Sequence, residues 1–244
     1  EIADRDWSSD VCSSDLIIGK HERVELVVMC LLARGHILIE DVPGVGKTSL
    51  VTALAKTIDC DYSRIQFTPD VMPSDVSGFS IYNQKSGEFE FRPGPAMSNI
   101  ILADEINRAS AKTQSAMLEI MEERQVTVDS KTYPMDTPFM VLATQNPIES
   151  LGTYKLPEAQ IDRFMIKMDI GYPAFESELD IVLFGEQAKK NIHHVVTKNE
   201  IHHLIDQCRH VLVTRQLAAY IVHIVTATRH HRSEEHTSEL QSRS

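Results

Sequence analysis

Asp41 to Leu50 read DVPGVGKTSL. Gly44 and Gly46 let a backbone turn with its N–H groups pointing inward, as an anion-binding nest requires. Lys47 follows at the position from which an ammonium reaches between the β- and γ-phosphates of a nucleotide, and Thr48 offers a hydroxyl to Mg²⁺. A helix starting at Thr48 directs its positive end at the same phosphates. Pro43 stiffens the approach, and Val45 and Ser49 complete the main chain of the cradle. One position departs from the G-x-x-x-x-G-K-[ST] pattern: Asp41 stands where glycine is usual. Aspartate tolerates left-handed backbone geometry better than most residues. At ~8 Å from a phosphate its charge costs roughly 0.5–2 kcal/mol, less than Lys47, a divalent ion and several N–H donors return. The bland alternative is a Gly/Pro turn with an incidental Lys-Thr.

A second constellation strengthens the first. Four apolar residues, Ile100 to Ala103, deliver Asp104 and Glu105 to the carboxyl end of a strand. Asp104 is placed to hold Mg²⁺, and Glu105 to polarise an attacking water as a general base in phosphoryl transfer. Alone, such a pair is a solvated acidic strand end. In VLATQNP, Asn146 lies just past another strand, where an amide can orient water near a γ-phosphate, although Asn-Pro by itself is commonly a turn. In EAQIDRF, Arg163 is open to two readings: an ion pair with Asp162, or service to a neighbouring subunit's nucleotide.

The elements that must position these residues alternate between strand and helix. HILIE (His36–Glu40), RIQF (Arg64–Phe67), NIILA (Asn99–Ala103), FMVLA (Phe139–Ala143) and MIKMDI (Met165–Ile170) read as strands. Thr48–Thr57 and Ala111–Glu123 read as helices, the latter with Met117 and Met121 as core positions at i, i+4. The alternation implies an α/β fold with a mostly parallel sheet covered on both faces, and ligands beyond the carboxyl ends of the strands. Phe79–Phe91 and Gln125–Met135 read as β-hairpins. After Gly171–Pro173 the strands stop, and helical patterns over Phe175–Lys190, Lys198–Val213 and Thr214–His231 suggest a small all-α domain.

Both ends need separate treatment. One DNA stretch encodes Asp6–Leu16, and its reverse complement encodes Arg232–Ser242, the signature of adapter sequence read into the gene. Residues 1–16 and 232–244 are therefore expected to be non-native tails, leaving a core over 17–173 and a partial helical domain over 174–231. Removing the tails moves the formal charge from −11 to −6. That mild acidity argues against a general nucleic-acid binder. Cys30, Cys60 and Cys208 are expected to be buried thiols, not a disulfide framework or metal site. The adjacent His pairs 193–194, 202–203 and 230–231 face different directions on a helix and read as solvated. No apolar run approaches the ~18–20 residues of a membrane span.

Together the motifs resemble the MoxR-type AAA+ ATPases. The likeness is carried by EDVPGVGKT, RIQFTPDVMPSDVSG, GEFEFRPGP, LADEINRASAKTQSAMLE, ERQVTVD, VLATQNPIE and GTYKLPEAQIDRF. The resemblance implies a P-loop NTPase (AAA+) fold, a three-layer α/β/α core with a helical lid, a ring that is usually hexameric, ATP and Mg²⁺ as ligands, and a cytoplasmic location. It implies that Lys47, Thr48, Asp104 and Glu105 act on nucleotide and metal. Asn146 becomes a sensor of the γ-phosphate, Arg163 a finger acting on the neighbouring subunit's nucleotide, and Arg108 a weaker interface candidate. Family members often carry Asp at the position of Asp41. The family is associated with maturation of protein complexes, often beside a partner bearing a von Willebrand A domain, so the expected function is chaperone-like remodelling of protein substrates driven by ATP hydrolysis. Two alternatives stand beside it: a DNA-translocating relative, for which the near-neutral hairpin of Lys85 and Arg92 against Glu88 and Glu90 is poor support, and a non-hydrolytic nucleotide-binding scaffold. The family's lid arginine, in a Gly-Ala-Ser-Pro-Arg-like stretch, is absent after TATRHHR (226–232), so hydrolysis by this chain is expected to be impaired.

Overall fold

Strands buried on both faces read as continuous apolar runs, because alternate side chains enter different hydrophobic layers. This chain follows that rule. A computed structural model describes residues 21–41, 46–146, 154, 156–172, 175, 179 and 194–230. Five strands form one parallel sheet: β1 (Ile37–Glu40), β2 (Tyr62–Gln66), β5 (Ile100–Asp104), β8 (Met140–Gln145) and β9 (Ile166–Met168), in the order β2-β5-β8-β1-β9. Ile37, Ile39, Ile100, Leu102, Met140 and Leu142 face one apolar layer. Leu38, Ile101, Ala103, Val141 and Ala143 face the other.

The first layer is closed by α1 (His21–Leu32) and α2 (Lys47–Thr57), through residues such as Val24, Val27, Leu50 and Leu54. The second is closed by α4 (Ala111–Glu123), whose Met117, Leu118, Ile120 and Met121 are buried. Ser110 caps α4 by accepting from the Thr113 N–H, and Arg124 ends it in the left-handed region at φ 52°. Truncating one such fully buried Leu to Ala costs about 2–5 kcal/mol. The α/β/α layering expected from the alternation is present.

Both hairpins are present too. β3 (Gly78–Asn83) pairs with β4 (Glu88–Pro93), and β6 (Gln125–Val128) with β7 (Lys131–Pro134), both antiparallel. The second turns at Asp129 and Ser130, both at positive φ. A short α3 (Pro73–Ser77) precedes the first hairpin, and a short α5 (Glu158–Ile161) precedes β9.

Beyond β9, most of the helical pattern over Phe175–Lys190 lies outside the described residues, as do His193 and His231. α6 (Lys198–Arg209) and α7 (Arg215–His230) are helical. The chain divides into two compact units, residues 1–206 and 207–244. Val196, Ile201 and Ile205 belong to the first unit and are buried in its α1–α2 layer. The thiols differ from expectation in one respect: Cys30 is buried and Cys60 partly so, but Cys208 is exposed. It sits in the last turn of α6, beyond the buried Ile201 and Ile205. Burial lifts the Cys30 thiol to about 12 and Cys60 to about 11, which leaves both inert as nucleophiles at neutral pH.

Candidate functional site

β1, β5 and β8 are neighbours, so the residues that leave their carboxyl ends converge. Asp41 follows β1, Glu105 follows β5 and Asn146 follows β8. α2 begins immediately beyond the β1 loop. Its N-cap is Gly46, at φ 90°, a geometry that suits glycine. Being glycine, Gly46 supplies no side-chain cap to the first-turn N–H groups.

One cavity of about 370 Å³ collects most of the candidate residues. Gly46, Lys47, Thr48 and Ser49 line it from the start of α2. Asp104, Glu105 and Asn146 line it from the ends of β5 and β8. Pro43, Gly44 and Val45 lie outside the described residues. Arg64 and Gln66 of β2 line the same cavity and were not singled out from the sequence as site residues. Their signal was present: in RIQF, Ile65 is buried while Arg64 and Gln66 alternate onto the opposite face.

The two acids reach the cavity by different means. In an extended strand, adjacent side chains point to opposite faces. Glu105 breaks that alternation by adopting φ 55°, ψ 47°. A buried threonine holds the break in place. Thr144 Oγ1 accepts the Glu105 N–H at 2.8 Å and donates to Asp104 Oδ1 at 2.6 Å. Thr144 was also not anticipated; a buried threonine within an apolar strand was its only trace. Asp104 Oδ2 accepts from Arg64 Nη2 at 2.6 Å. Glu105 Oε2 accepts from Gln66 Nε2 at 2.9 Å and lies 3.2 Å from Arg108 Nε.

Asp41 differs from expectation in an informative way. Its backbone is not left-handed, so tolerance of that geometry does not explain the residue. Its Oδ2 instead accepts the backbone N–H groups of Ile170 and Gly171, at 2.9 and 2.7 Å. The carboxylate therefore ties the exit of β1 to the exit of β9. Lys47 Nζ donates to the Asp41 carbonyl at 2.9 Å.

Arg163 is elsewhere. It lines a separate cavity of about 510 Å³ with Arg34, His36 and Arg124. Its Nε and Nη2 both lie 2.7 Å from Glu122 Oε2 on α4. Its acidic partner is thus Glu122, not the adjacent Asp162 of one of the two readings open from sequence. Asp162 follows α5 in a helical conformation, while Glu122 lies on the neighbouring end of α4.

The residues present suit a triphosphate and a hard divalent ion. The Thr48 hydroxyl and Asp104 carboxylate are oxygen donors of the kind Mg²⁺ prefers. The α2 N-terminus and Lys47 are complementary to phosphate. The chain also matches known proteins. Residues 36–166 match the model for the ATPase family associated with various cellular activities (AAA). Chaperone MoxR1 of Mycobacterium tuberculosis is 44% identical over 88% of this chain and 57% of its own length.

The chain belongs to the MoxR-type AAA+ ATPases. YeaC of Bacillus subtilis (strain 168), a protein described as uncharacterized, is 53% identical over 89% of this chain and 69% of its own length. A crystal structure of a Cytophaga hutchinsonii protein superposes with a TM-score of 0.82 at 46% identity, over 90% of this chain and 68% of that one. The chain thus spans about three-fifths to two-thirds of the length of these relatives. Among the described residues, no helix of this MoxR-type chain is long and apolar enough to cross a membrane.

Proposed function

We propose that this chain binds ATP with Mg²⁺ and hydrolyses it to remodel protein complexes, in the manner of a chaperone. The observation that carries the reading is the single cavity into which Lys47, Thr48, Asp104, Glu105 and Asn146 all open. Lys47 exchanges its contact with the Asp41 carbonyl for the phosphate tail. Thr48 and Asp104 hold the metal. Mg²⁺, when bound, neutralises charge on the phosphoryl oxygens. Glu105 accepts the proton of the attacking water, once its contacts to Gln66 and Arg108 loosen. Asn146 orients that water from the end of β8.

The MoxR1 name supports the chaperone part of this reading, because that relative is itself called a chaperone. Ring assembly, a von Willebrand A partner and a protein substrate are part of the same proposal and rest on family membership. In that assembly Arg163 leaves Glu122 and approaches the neighbouring subunit's nucleotide, as its separation from the Lys47 cavity suggests.

Two variants test the core of the reading. Lys47→Ala should abolish ATP binding measured by calorimetry. Glu105→Gln should keep ATP affinity while lowering phosphate release about 100-fold or more. Undiminished affinity in the first would remove the loop from the site. Undiminished turnover in the second would remove Glu105 as the base. A wild-type chain that binds ATP but releases no phosphate would favour the non-hydrolytic scaffold instead.

A further inference from the structure

The cavity contains a cation that the loop and the acidic pair do not account for. Arg64 projects from β2, the strand beside β5, with Cα partner Leu102. Its Nη2 donates to Asp104 Oδ2 at 2.6 Å and to Gln66 Oε1 at 2.9 Å. Asp104 Oδ1 is taken by Thr144 at the same time. Both oxygens of the carboxylate assigned above to the metal are therefore engaged, one of them by a full positive charge. A guanidinium and a divalent cation repel each other and compete for the same oxygen.

The two partners are not equally free to move. The Asp104 side chain is 15% exposed and held by the buried Thr144, whereas the Arg64 side chain is 47% exposed. Arg64 is the one able to swing. It lines the same cavity as Lys47 and Thr48. Its planar fork of donors suits a phosphate as well as a carboxylate.

We propose that Arg64 is an exchangeable counter-ion. It neutralises Asp104 while no metal is bound, and it transfers to the terminal phosphate when a divalent ion takes the carboxylate. The proposal rests on the reading of Asp104 as a metal ligand. It makes metal and triphosphate binding mutually reinforcing. Metal alone must displace Arg64 with nothing to receive it, whereas ATP supplies the new partner. By linkage, the same coupling acts in both directions.

The test uses Mn²⁺ as the probe, followed by electron paramagnetic resonance on the full chain, with and without ATP. Without nucleotide, Arg64→Gln should bind Mn²⁺ about tenfold more tightly than wild type, because one nearby positive charge is gone. Arg64→Lys should stay near wild type, because the charge remains. The factor by which ATP tightens Mn²⁺ binding should shrink in Arg64→Gln. A merely structural role for Arg64 would lower fold stability without tightening Mn²⁺. Wild-type Mn²⁺ affinity in Arg64→Gln, with binding lost in Asp104→Asn, would overturn the exchange while leaving Asp104 as the metal ligand. Unchanged Mn²⁺ affinity in Asp104→Asn would overturn the metal assignment and the exchange with it.

Discussion

Thr144 Oγ1 bridges Asp104 Oδ1 and the Glu105 N–H, at 2.6 and 2.8 Å. One fully buried hydroxyl on β8 thus sets the geometry of both acids at the end of β5. The consequence reaches from packing to chemistry. The carboxylate is aimed into the cavity, and the left-handed turn at Glu105 is satisfied at its donor.

Replacing Thr144 by valine preserves shape and removes the hydroxyl. The Glu105 N–H then loses its acceptor, which costs about 1–3 kcal/mol of fold stability. Mn²⁺ affinity in the presence of ATP should fall with it, because Asp104 is no longer oriented. Thr144→Ser should restore most of both. Urea denaturation and metal titration read the two effects. A valine variant as stable as wild type would show that the bridge carries no weight.

Asp41 makes a second, independent prediction. Its carboxylate accepts two N–H groups from the exit of β9. Asp41→Ala removes a charged acceptor and should lower stability by about 2 kcal/mol. Asp41→Asn keeps an oxygen in place and should lose less than half of that. ATP affinity should change little in the asparagine variant, because the carboxylate is turned toward β9 and not toward the phosphates. A large gain in ATP affinity on removing the charge would instead mean that Asp41 repels the ligand.

Arg163 predicts a concentration dependence. If it acts on a neighbouring subunit, Arg163→Ala should leave ATP binding by an isolated chain intact and suppress hydrolysis in the assembled state. Mixing the variant with wild type should then reduce activity below the weighted mean. Rates that follow the weighted mean at every ratio would confine Arg163 to its ion pair with Glu122.

His36 predicts a pH dependence of stability. The Val141 N–H donates to Nδ1 at 3.0 Å, and Nε2 lies 3.1 Å from the Met121 carbonyl. That pair of contacts requires a neutral ring protonated on Nε2. Burial, opposed by the Met121 contact and reinforced by nearby Arg124, lowers the His36 pKa to about 4. The unfolded chain takes up this proton near its ordinary value of 6.5. The folded state is thus disfavoured as pH falls from 6.5 toward 4, by about 3 kcal/mol in all, and the contribution is fully present above 6.5. Denaturation midpoints between pH 7.5 and 5 should fall accordingly. A flat profile between 6.5 and 5, where carboxylates remain ionised, would overturn this.

Local patterning made much of the architecture legible. The runs NIILA and FMVLA read as strands covered on both sides, and Ala111–Glu123 showed its apolar stripe and its boundaries directly. The helical spacing of Val24, Val27 and Leu31 carries the signal of α1 as well. The loop glycines, Lys47, Thr48 and the acidic pair announced themselves because a phosphate cradle needs those types at fixed local spacing.

What the sequence by itself determined is everything that depends on neighbours along the chain: helix and strand periodicity, the phosphate-loop spacing, and the pairing of Asp104 with Glu105. Only the tertiary structure decided which residues from other strands meet them. Arg64, Gln66 and Thr144 lie about 40 positions from the acids they touch, and Asp41 lies about 130 from the amides it binds. Such partners are fixed by the strand order β2-β5-β8-β1-β9, which closes those distances by stacking carboxyl ends side by side. No local pattern encodes that order.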